Sequence, residues 1–220
     1  MERITDSFTK SLVINSEDII KDYAEIGIDL FINDDVLKDI PIVGTIIGGT
    51  KIIKNIRDRN AVKNLVQFIN EINTGKVDRE KLINYQEELK NNKRKAEIEL
   101  GRVLLILDDN IDNEKNIMIG KLFKGYINQD ISWKEFCELT EVVRRLFVQD
   151  IPLLLGIYHG GLKKSLIQKE MYRIDRIQSL GITGTSSKAL LAPVKELDDN
   201  LYLVPNKIGK KFMNIVFKEV

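Results

Sequence analysis

Apolar residues recur at helical spacing along most of this chain. Ile19, Ile20, Tyr23, Ile26, Leu30 and Phe31 form the first clear stripe. Ser16 precedes it as an N-cap with Glu17 and Asp18 in the first turn, and Asn33-Asp34-Asp35 ends it. The next apolar stretch runs from Val36 to about Arg59, with Pro41 near its start, where a first helical turn tolerates proline. A third helix is expected over 61–73, carrying Leu65, Phe68, Ile69 and Ile72 and stopping at Gly75. Asp78 caps a charged helix to about Asn91 whose apolar content is Leu82, Ile83, Tyr85 and Leu89. Helices follow over about 95–107, with Ile98, Val103, Leu104 and Leu107, and from Asp112 to about Tyr126.

Ser132 and Glu135 have capping-box spacing, and Ile131 and Phe136 that of a hydrophobic staple. The helix they open carries Leu139, Val142, Val143, Leu146 and Phe147. Asp150 and Pro152 start a short helix ending near Gly160-Gly161. Beyond it the pattern predicts a helix from Leu162 to Leu180, a stop at Gly181, and a strand at Ile182-Thr183. A polar loop over 184–200, a strand Leu201–Val204 and a last helix capped by Asn206 complete the chain. The expected class is mainly α: a helical bundle over 1–160 and a small α+β, winged-helix-like module over 161–220.

Within 36–59 the residues sort by face. Ile42, Ile46, Gly49, Ile53 and Ile56 share one stripe, which Val43, Ile47 and Ile52 widen. Gly44 and Gly48 lie four apart on the other side, with Lys51 and Asn55, a spacing that permits close helix approach. Each internal glycine costs about 0.8–1 kcal/mol of helix propensity relative to alanine. Burying an Ile or Val returns about 1.5–3 kcal/mol. This helix therefore forms only against something: the domain core, a second subunit or a membrane. The contact residues expected are Ile42, Gly44, Ile46, Gly48, Gly49 and Ile53.

The longest mostly apolar uncharged run, Ile40–Thr50, makes a helix of about 16 Å against a hydrocarbon core of roughly 30 Å. A single permanent span is not expected. Conditional membrane contact by several copies is compatible with the charges at Lys38, Asp39, Lys51 and Lys54.

Composition is globular, with 43% hydrophobic and 30% charged residues and a net charge of +1. Positive charge gathers in 161–220, where 11 Lys/Arg stand against 6 Asp/Glu. Lys163, Lys164, Lys169, Arg173 and Arg176 are the candidate phosphate contacts there, with Glu170 and Asp175 opposing them. One cysteine, Cys137, fits a reducing compartment as a buried thiol, and the opening Met-Glu-Arg-Ile-Thr-Asp has no secretory pattern; a cytoplasmic location is expected.

No catalytic or metal centre emerges. Gly44 to Lys51 departs from the phosphate-loop order, because Thr50 precedes Lys51 and no strand leads in. Asp108, Asn110 and Asp112 open like a calcium loop, but Asn113 and Ile119 stand where Gly and Glu are needed. His159 is the only histidine, which rules out a His-based triad and multi-His or Cys/His metal clusters. No cofactor is expected.

Three stretches carry a family resemblance: Lys38-Asp-Ile-Pro-Ile-Val-Gly44, Trp133-Lys-Glu-Phe-Cys-Glu-Leu139, and Leu180-Gly-Ile182 followed by Leu201-Tyr-Leu-Val-Pro-Asn-Lys-Ile-Gly-Lys-Lys-Phe212. Together they resemble bacterial proteins of the Abi-alpha (abortive infection) family. The tail also resembles the winged-helix ending Leu-Gly-Leu…Tyr-x-Leu-Thr-x-x-Gly, with Asn206 in place of Thr and Leu203 in place of the aromatic. The resemblance implies a non-enzymatic role in phage defence through self-association, another protein partner or conditional membrane contact, and it transfers no catalytic residue. The alternatives are a nucleic-acid-binding regulator or adaptor using the basic tail, and a plain helical interaction domain.

Overall fold

The computed structural model describes residues 2–13, 39–49, 56–74, 77–160, 162–163, 171–187 and 201–217. Among them are ten helices: α1 Glu2–Ser11, α2 Pro41–Gly49, α3 Ile56–Asn73, α4 Arg79–Asn91, α5 Lys93–Asp109, α6 Asn113–Ile127, α7 Trp133–Arg145, α8 Ile151–Gly160, α9 Met171–Gln178 and α10 Lys207–Val216. Three strands, β1 Leu162–Lys163, β2 Thr183–Ser187 and β3 Leu201–Pro205, form one small sheet. The chain is thus mainly α-helical, as its periodicity predicts.

Side-chain caps fix several boundaries. Asp78 accepts from the amides of Glu80 and Lys81 at the start of α4. Asn92 accepts from Lys95 N at the start of α5, and Asn206 from Gly209 N at the start of α10. The capping box forms: Glu135 N donates to Ser132 Oγ at 3.2 Å, and Ser132 N donates to Glu135 Oε2 at 2.8 Å. Each cap satisfies an amide that the helix itself leaves open. Asp112 makes no such bond; it sits at the start of α6 with its carboxylate 3.5 Å from Lys115 Nζ.

Two compact units divide the chain, Met1–Phe136 and Cys137–Val220, with the boundary inside α7. In the first, α3 packs along α6 and α5, and α1 lies against α2, α4 and α5. Gly120 permits the close α3–α6 approach: a Cβ there would fall 2.8 Å from Glu71 Cβ. Aromatic rings run through the core in contact. Phe8 of α1 meets Phe68 at 5.9 Å, Phe68 meets Phe123 at 5.3 Å, and Phe123 meets Phe136 at 5.5 Å.

A buried amide network crosses the same unit. Asn64 donates to the carbonyls of Leu107 and Asn110, Asn116 donates to Asn64 Oδ1, and Asn110 donates to Asn116 Oδ1. It closes the C-terminal end of α5, whose last carbonyls have no intrahelical partner. Asn110, the second position of the calcium-like spacing, is therefore a core residue whose side chain is used inside the fold.

In the second unit α8 packs on β3, which lies at the centre of the sheet order β1-β3-β2, with both pairings antiparallel. This places α8 with the strands. The single helix expected from Leu162 to Leu180 does not form. Leu162 and Lys163 pair with Leu203 and Tyr202 instead, and the described helix is Met171–Gln178, with residues 164–170 outside the described residues. The loop expected from Gly184 is likewise corrected, since Gly184–Ser187 continue β2 opposite Leu201–Val204. Polar Thr-Gly-Thr-Ser-Ser lacks apolar alternation, so pairing with apolar β3 makes it a strand. The helix expected after Ser16 lies outside the described residues.

The start of α10 is locked onto the turn after α9. Asn206 N donates to Ile182 O and Asn206 Nδ2 to Gly181 O, while Gly181 adopts φ 74°. Gly209 closes the lock: a Cβ there would stand 1.8 Å from Ile182 O, a backbone atom that cannot swing away. Gly209→Ala is expected to cost more than about 3 kcal/mol and to unfold the C-terminal strands and α10. Urea unfolding followed by circular dichroism checks this, and a variant as stable as the parent would refute it.

Candidate functional site

Pro41–Gly49 is helical, and of the six contact residues expected on this stretch only Ile42 is seen buried. Ile42 and Val43 are fully buried, Ile46 is half-buried and Gly48 is exposed. Gly44 is half-buried, Gly49 is the last helical residue, and Ile53 lies outside the described residues. Residues 50–55 lie outside the described residues, and Arg59, the expected end of the stretch, belongs to α3. No described helix is long and apolar enough to cross a membrane.

The partner of α2 is α1, an element with little apolar signal of its own. Its inward positions are Thr5, Phe8, Thr9, Ser11 and Leu12, all buried. That spacing is helical, but three of the five side chains are hydroxyls. Thr9 Oγ1 and Ser11 Oγ donate back to the carbonyls of Thr5 and Ser7, which lets them enter an apolar interface satisfied. Ser11 Oγ also accepts from Ile42 N at 3.0 Å, capturing an amide at the start of α2. Ser7 Oγ and Thr45 Oγ1 lie 2.6 Å apart, joining the two helices side chain to side chain. Two hydroxyl contacts thus join α2 to α1, Ile42 and Val43 are buried, and α3 also touches α2. At Gly48 an added Cβ would meet nothing within 4 Å. The glycine side of α2 is open there.

The basic residues of the tail are placed unequally. Arg173 and Arg176 both hold Asp150, which is 1% exposed: Arg173 Nε reaches Oδ1 at 2.7 Å, and Arg176 Nε reaches Oδ2 at 2.6 Å. Arg173 also donates to Gln149 O, and Arg176 covers the Phe147 ring at 4.0 Å. Both arginines share one buried carboxylate, which leaves the trio a net charge of +1. Lys163 lies on β1, while Lys164 and Lys169 fall outside the described residues. His159 is exposed in the last turn of α8 beside the Tyr158 ring, and Cys137 is half-buried rather than buried.

A second polar centre in the N-terminal unit is one that periodicity does not show. Glu99 of α5 is 5% exposed and accepts Tyr85 Oη on Oε2 at 2.7 Å and Tyr126 Oη on Oε1 at 2.9 Å. Burial pushes its carboxyl above the usual glutamate range, with a smaller push from Glu88; the two tyrosines and Lys95 pull the other way. Tyr85 is raised well above its ordinary value, first by burial and then by the charge of Glu99. The visible signal is slight: one tyrosine among the few apolar residues of a charged helix, and one glutamate among many. No group of three or more metal-capable side chains gathers among the described residues. No family model, curated protein or solved structure matches the chain.

Proposed function

We propose that this chain is a non-enzymatic effector of bacterial phage defence that rests in the cytoplasm. When triggered, it moves α2 from α1 to a membrane surface or to other copies of itself. The reading rests on one observation: an apolar, glycine-bearing helix is held on an amphipathic neighbour by Ile42, Val43 and two hydroxyl contacts, with Gly48 open. On release, Ile42 and Val43 would need another apolar surface to cover them. Three glycines in nine residues leave α2 poorly helical without such a surface. The defence setting comes from the resemblance to Abi-alpha proteins.

The test is a reversible lock. Ser7→Cys with Thr45→Cys, in a Cys137→Ser background, places two thiols where the hydroxyl oxygens now meet. Oxidised protein is expected to release no dye from phosphatidylglycerol vesicles and to remain monomeric, and reduced protein to behave like the parent. Equal leakage and assembly in both redox states, or neither from the parent, rejects the reading.

A second reading is nucleic-acid binding by the C-terminal unit. What supports it is the strand order β1-β3-β2 with α9 between β1 and β2, an arrangement that a winged-helix module also uses. The pairing of Arg173 and Arg176 with Asp150 counts against it. Binding of duplex DNA in a mobility-shift assay, weakening steeply with added salt, is what this reading expects. The absence of any shift at low salt removes it.

A further inference from the structure

Glu99 lines a cavity of about 310 Å³ together with Asn92, Arg94, Lys95, Ile98 and Trp133. All six side chains belong to the N-terminal unit. Two tyrosine hydroxyls bind the carboxylate, and each carboxylate oxygen has room for a further donor. Among the described residues its ion pair is a long one, with Lys95. Lys95 Nζ stands 3.8 Å from Oε1 and makes its short ion pair with Glu88, at 2.6 Å. A buried carboxylate whose ion pair is this long is only partly compensated, and a closer cation would compensate it further.

The walls suit an organic cation better than a metal ion. Trp133 is braced behind by Phe136, stacked at 5.0 Å, and touches the Tyr126 ring at 5.3 Å. Indole is the strongest aromatic partner for an ammonium. Ile98, 55% exposed, provides an apolar rim that the fold leaves uncovered. The centre already handles one ammonium at its edge: Lys95 Nζ lies 5.6 Å over the Tyr85 ring. Of the two cations that oppose entry, Lys95 is neutralised by Glu88 and Arg94 is exposed to solvent.

The geometry points to this cavity as a site for a small alkylammonium, either a free amine or the side-chain amine of a partner's lysine, with Glu99 as counter-ion and Trp133 as wall. The site is independent of the role of α2.

Trp133 is the only tryptophan, so its fluorescence reports the cavity directly in the full-length chain. Titration with n-butylammonium is expected to give a saturable change that 1-butanol does not. Lys95→Met, which removes the internal competitor, is expected to tighten binding. Glu99→Gln is expected to weaken it by at least about tenfold. Should Glu99→Gln fail to fold by circular dichroism, pH supplies the same test. Glu99 is faced by Tyr85, Tyr126, Lys95 and Glu88, and protonating it must weaken butylammonium binding as pH falls, while the ligand keeps its charge. A blocked Gly-Lys-Gly tripeptide distinguishes the source: tighter binding than butylammonium assigns a protein lysine, weaker binding a free amine. Equal responses to butanol and butylammonium, undiminished affinity in folded Glu99→Gln, binding unchanged at low pH, or no saturable change in either parent or Lys95→Met overturns the site.

Discussion

The burial of Ile42 and Val43 against α1 is the interaction on which the functional reading depends. Within α2 the sequence supplies two interior glycines, a third at the end and β-branched residues between them, all poor for an isolated helix. The helix exists because α1 presents Phe8 and Leu12 with hydroxyls that need no water. Ser11 serves both elements, donating along its own helix and accepting the Ile42 amide. The same device makes the contact selective: an apolar replacement surface can take the aliphatic side chains, but it cannot reproduce the hydroxyl bonds.

The remainder of the N-terminal unit is held differently. The α3–α6 approach at Gly120, the ring series from Phe8 to Phe136 and the amide network around Asn64 couple distant parts of the chain. Asn116 reaches Asn64 across 52 residues, and Asn60 reaches Asn110 O across 50. Such a network is fully satisfied only in one register, which favours a single packing of α3, α5 and α6. The molecule therefore combines a helical core specified by buried polar bonds with an α1–α2 pair whose polar links are the Ser7–Thr45 and Ser11–Ile42 contacts.

Helix existence was legible wherever apolar spacing and a cap coincided, as at Asp78, Ser132 and Asn206. α1 was not, because Thr5, Thr9 and Ser11 occupy its buried positions and read as polar. β1 was not, because two residues carry no periodicity and are strands only by pairing with β3. Asp150 read as a helix start, and nothing local marks it as the partner of arginines 23 and 26 positions later. The apolar face of α2 was legible from its isoleucine stripe, whereas its partner was not. The Glu99 centre was hidden because Tyr85, Glu99 and Tyr126 lie on three helices and meet only in the folded unit.

Native-state hydrogen exchange of the full-length protein tests the central claim most directly. If α2 can leave α1 and α3 without unfolding the unit, the amides of residues 44–49 exchange through a local opening, with protection at least about tenfold below that of α3 and α6. Protection equal to α3 and α6 would mean that α2 opens only with the whole unit, and would contradict the account.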